Sequence, residues 1–167
     1  MGNRSNIKSL RRCILAVALA FSGATAALAQ EACRDDTVML RGDWGSVRFS
    51  VEVADDSQEQ QQGLMNREAM ANSAGMLFVY ERPQRAVFWM KNTVLALDMI
   101  FADAAGVVKT VHSNAIPYDE TPIDGGEGIV AVLEINGGLA ERMGITPGAV
   151  LRHPALNQTT AAWPCAQ

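Results

Sequence analysis

The sequence predicts a compact, β-rich α+β domain: a single sheet curled on itself or closed into a barrel, with two short helices. Three observations predict it. Val47, Phe49, Val51 and Val53 alternate with Arg48, Ser50 and Glu52, the period of a strand with one wet face. Five further short apolar segments follow, punctuated by Gly, Pro and Asp turn signals. Only residues 56–62 and 139–144 carry helix start and stop signals.

Taken in order, residues 37–41 form the hairpin partner of the alternating strand. Asp56 with Glu59 three residues later resembles a capping box, so a short helix opens there and Gly63 ends or bends it. Strands are expected at 76–80, 86–91, 97–103, 107–112 and 129–135, with turns at Arg82 and Pro83, at 103–106, and at Gly125 and Gly126. Gly137 and Gly138 lead into LAERMG, a second short helix stopping near Gly144. Pro147 and Gly148 then turn the chain into a last strand at 150–152. No internal repeat is visible.

The first 29 residues read as a signal peptide. Arg4, Lys8, Arg11 and Arg12 form a basic start, ILAVALAF is an apolar run too short to span a bilayer, and Ala27, Leu28 and Ala29 make a small-x-small cleavage site. A periplasmic or secreted protein follows, without stable membrane insertion after cleavage. Residues 30–36 are then an N-terminal tail, 37–156 one globular domain and 157–167 a C-terminal tail. Removing the four leader cations leaves 10 Lys and Arg against 18 Asp and Glu, a net charge of −8. With no basic cluster to neutralise phosphates, nucleic acid is excluded as a partner. Cys33 and Cys165 survive cleavage, one near each end of the mature chain, and are expected to close a disulfide in an oxidising compartment, the alternative being free or intermolecular thiols.

The motifs GLMNRE at 63–68, GMLFVY at 75–80, FWMKNTVLALDMIF at 88–101 and VLEINGG at 132–138 occur in that order, with GITPGAVL at 144–151 closing the set. Together they closely resemble the bacterial and archaeal Domain of Unknown Function 192 family, over about residues 46–153. One departure is Ala149, where the family often carries an acidic residue after the glycine. The resemblance implies a small β-rich domain, frequently exported, and brings no established reaction, cofactor or ligand with it.

Candidate chemistry rests on polar residues set in apolar runs, which must be paired when buried or else line a pocket. Lys91 and Asp98 lie seven residues apart across Asn92 and Thr93, so a turn there would bring them together as a structural ion pair, or leave Asp98 as a ligand anchor tuned by Lys91. Glu134 interrupts IVAVLEI and is a second acid, the partner of Asp98 if the protein is a hydrolase. Trp89 offers an aromatic face to a ligand. The expected binding pocket is thus framed by Met65, Arg67, Trp89, Lys91, Asn92 and Asp98, and takes a small molecule or serves a periplasmic protein partner. Seven methionines after cleavage, with His112, raise a copper-binding alternative, although none forms an MxM or HxM cluster. The acidic residues between Asp119 and Glu127 lack calcium-loop spacing, and no GxSxG, HExxH, Walker A or GxGxxG motif occurs, so no metal or cofactor is expected.

Overall fold

The structure, a computed structural model, describes residues 32–165. The predicted signal peptide lies outside the described residues. Seven strands and two helices follow in the order β1 (Thr37–Gly42), β2 (Gly45–Ala54), α1 (Ser57–Gln62), β3 (Ala74–Phe88), β4 (Leu97–Asp103), β5 (Val108–Ala115), β6 (Ile123–Asn136), α2 (Leu139–Met143) and β7 (Val150–Arg152). They build one sheet ordered β5-β4-β6-β3-β2-β1-β7. With helices of only six and five residues, the domain is β-rich rather than α+β. The sheet curls into a half-barrel, and its two ends meet at a bridge between Val107 and Val150. There the Val108 N–H donates to the Ala149 carbonyl at 2.8 Å and the Leu151 N–H to the Gly106 carbonyl at 2.7 Å. Buried Ala149, the residue departing from the family pattern, thus serves this closure through its backbone.

Every pairing is antiparallel except that of β2 with β3. Parallel neighbours cannot be joined by a tight hairpin, so the chain must cross over the sheet between them. The crossover is α1 and residues 63–73. Asp56 starts it by accepting from the Gln58 and Glu59 N–H groups, as a capping residue does. Glu59 reaches back to the Asp55 N–H rather than to that of Asp56.

Because the crossover covers one face of the sheet and the curl encloses the other, the central strands are buried on both sides. Leu77, Ile100, Leu133 and Ile135 face into the curl with Leu40, Phe49 and Leu151. The alternate residues Met76, Phe78, Met99, Phe101 and Val132 pack with Leu64 on the other side.

Two expectations are corrected. The strands expected at 76–80 and 86–91 are one long strand, β3, and Arg82 with Pro83 is a bulge where the register with β6 shifts between Val79 and Gln84. An exposed Pro that donates no ladder bond is tolerated there. Gly125 and Gly126 likewise lie inside β6, not at a turn. A Cβ on Gly125 would collide with the Phe101 ring, so glycine admits that ring to the sheet. Residues 157–165 contain no buried residue, yet contacts tie this tail to the domain. Trp163 lies under the Arg41 guanidinium at 4.4 Å, the Ala162 N–H donates to the Ala105 carbonyl at 2.8 Å, and Cys165 is bonded to Cys33 across 132 residues of sequence.

Candidate functional site

Strand parity decides where Glu134 goes. On β6 it alternates with Leu133 and Ile135, which face into the curl, so its carboxyl projects to the crossover side. Met76 on β3 and Met99 on β4 flank it in register. Glu134 is 4% exposed, and its carboxyl makes no hydrogen bond or ion pair with a described residue. Burial pushes its pKa up to about 8, which keeps it protonated at neutral pH.

Above this carboxyl lies a cleft of about 110 Å³. Phe78, Tyr80 and Phe88 of β3 wall it, Trp89 stands next along the chain, and α1 with the residues after it closes the remaining side through Gln60, Gln62 and Met65. The rings brace one another: Phe78 meets Phe88 edge-on at 5.0 Å, and Phe88 meets Phe101 at 5.7 Å. Gly63 lets the crossover press on them. Its φ is +46°, and a Cβ there would stand 3.1 Å from Phe78 Cζ. The Tyr80 hydroxyl is pushed up to about 12 by its own burial and by the nearby Glu134 charge.

Two of the expected pocket residues line this cleft, Met65 and Trp89. The other four do not. Arg67 forks onto Glu52 at 2.6 and 2.7 Å. Asn92 takes a positive φ of +51° in a turn closed from the Thr93 N–H to the Met90 carbonyl. Lys91 places its Nζ 4.9 Å over the Trp89 ring.

Asp98 is fully buried and accepts from the backbone N–H groups of Asn114 at 2.6 Å, Gly138 at 2.8 Å and Ala140 at 2.6 Å. The expected Lys91–Asp98 ion pair is therefore not formed. Three backbone donors, one on β5 and two at the start of α2, satisfy the carboxylate that sequence assigned to the lysine.

The paired-carboxylate arrangement fails on register. Asp98 pairs with Ile135 and Met99 with Glu134, so the two acids occupy opposite faces of the sheet and share no cleft. Among the described residues no group of three or more His, Cys, Asp or Glu could hold a metal ion. Asp124 of the acidic segment pairs instead with Arg85, and Asp119 accepts from the Thr121 N–H at 2.9 Å.

Sequence reasoning missed Phe78, Tyr80, Gln60 and Gln62. The available signal was parity: Phe78 and Tyr80 are spaced by two on one strand, and a parallel β2–β3 pair obliges a crossover to lie over one face.

With this geometry in view, residues 38–153, from β1 through β7, match the family described as Uncharacterized ACR, Domain of Unknown Function 192. The chain belongs to this family. Two solved structures share the fold. A protein of unknown function from Novosphingobium aromaticivorans DSM 12444 is 45% identical, covering 69% of this chain and 82% of its own, with a TM-score of 0.68. A proposed transcription regulator from Sinorhizobium meliloti 1021 is 38% identical, covering 75% of this chain and 98% of its own, with a TM-score of 0.70. No curated protein matches the chain.

Proposed function

We propose that this family member is an exported small-ligand-binding protein and that the cleft above Glu134 is its binding site. One observation carries the reading: a buried carboxyl without a partner forms the floor of a cleft walled by aromatic rings. Leaving such a group unpaired costs stability, and proteins retain that cost where a site needs the group. Rings with one convergent polar group are also the composition of small-molecule sites. Export rests on the leader, whose four cations precede the apolar run and cleavage site. Nucleic acid, suggested by the description of the Sinorhizobium protein, is not taken over for this chain, because the mature net charge is −8.

The test is a fragment screen by NMR on the mature protein, following the Trp89 indole N–H and the Thr93 amide. Fragments should shift both signals, and Glu134→Gln should weaken a subset of them. A diverse set that moves neither signal at millimolar concentration would overturn the reading.

A further inference from the structure

We propose that the cleft takes a primary ammonium group on a slender apolar chain, the ammonium meeting the Glu134 carboxylate and the chain lying among Phe78, Tyr80 and Phe88. The inference rests on the reading of this cleft as a binding site and names the ligand class.

Beside the Tyr80 hydroxyl and the Trp89 indole N–H, which can donate, the crossover lends the cleft side-chain acceptors. Gln60 donates through Nε2 to the Val79 carbonyl at 2.9 Å, and Gln62 through Nε2 to the Met65 carbonyl at 3.2 Å. These bonds fix the amide orientations and leave both side-chain oxygens without a described donor. With the unpartnered Glu134 carboxyl, that set calls for a ligand rich in donors, and an ammonium carries three. Aromatic faces reinforce the choice, since they attract cations. The Lys91 ammonium already lies 4.9 Å over the Trp89 ring at the edge of this site. Size sets the remainder. About 110 Å³ is less than the roughly 150 Å³ cavity that accepts benzene, so a narrow chain end fits better than a ring.

Binding couples to a proton. Before the ligand arrives the carboxyl is protonated at neutral pH, because burial holds its pKa near 8. As the ammonium seats, the carboxyl proton leaves to solvent and the ion pair forms, one proton released for each ammonium bound. The groups facing Glu134 do not supply that proton. Tyr80 on β3 is held neutral, Met99 faces it from β4, the crossover contributes amides and Met65, and Lys91 is occupied with Trp89.

The test titrates n-butylamine, n-butanol and butyrate into the mature protein at pH 7, with the Trp89 and Thr93 signals as reporters and calorimetry in two buffers of different ionisation enthalpy. Butylamine should bind at least about tenfold more tightly than butanol, and butyrate should not bind. Its apparent enthalpy should change with the buffer as proton release requires. Glu134→Gln, a neutral isostere whose folding a thermal melt checks, should reduce butylamine to the level of butanol. Equal binding of butanol and butylamine at the cleft, or unchanged butylamine binding in Glu134→Gln, would overturn the ammonium assignment and leave the binding cleft standing. No shift with butylamine also overturns it, and the fragment screen then shows whether the cleft falls too.

Discussion

Glu134 and Asp98 show how two carboxyls in similar apolar strands acquire different roles, one with three donors and one with none. Asp98 collects three backbone N–H groups, two of them at the start of α2. Asp98→Ala should strand those donors and lower stability by about 2–4 kcal/mol in denaturant melts. Lys91→Met should cost under about 1 kcal/mol, and the double variant should be additive because the two residues do not touch. Glu134 has no such donors, and its protonation is linked to folding. Its pKa rises from an ordinary 4.5 to about 8 on folding, so between those values the folded chain holds a proton that the unfolded chain has released. Stability contributed at acid pH is therefore lost as pH climbs through this window, by on the order of several kcal/mol. Melts of wild type and Glu134→Gln across pH 5 to about 9 should diverge steadily, with the glutamine variant insensitive at this site. Both carboxyls were legible in the sequence as acids among apolar residues. The donors of Asp98 were not, because backbone N–H groups leave no mark in a side-chain pattern.

At the scale of elements, periodicity located the strands and missed their continuity. The alternation of β2, the cap of α1 and the glycine-bounded α2 follow from local chemistry and were readable. The long β3 was not, because Arg82 and Pro83 carry a turn signature that the pairing with β6 overrides as a bulge. Gly125 misled in the same way, since it serves the Phe101 ring rather than a turn. Gly125→Ala should force that ring aside and destabilise by about 1–3 kcal/mol in a denaturant melt. The crossover matters most for the site. It brings Gln60, Gln62 and Met65 over the floor that β6 supplies, and nothing local in those residues announces which strand they will cover.

On the scale of the whole molecule, the ends are tied together. The Cys33–Cys165 bond closes a loop spanning a sequence separation of 132, and in the chain-entropy model such a constraint contributes about 5 kcal/mol. Reduction should lower the denaturation midpoint accordingly, and the denatured, unreduced mature protein should titrate without free thiol. The family match spans the entire curled sheet, from β1 to β7. Its unity is architectural: the half-barrel buries both faces of β3, β4 and β6, so a carboxyl on β6 meets either the curl or the crossover, and Glu134 faces the crossover as the floor of an aromatic cleft. The most direct measurement is therefore the carbon-13 NMR titration of the Glu134 carboxyl in the ligand-free mature protein. A midpoint near 8 is the expected result. A midpoint near the ordinary 4.5 would mean a solvated or paired carboxylate, and would contradict the account of this cleft.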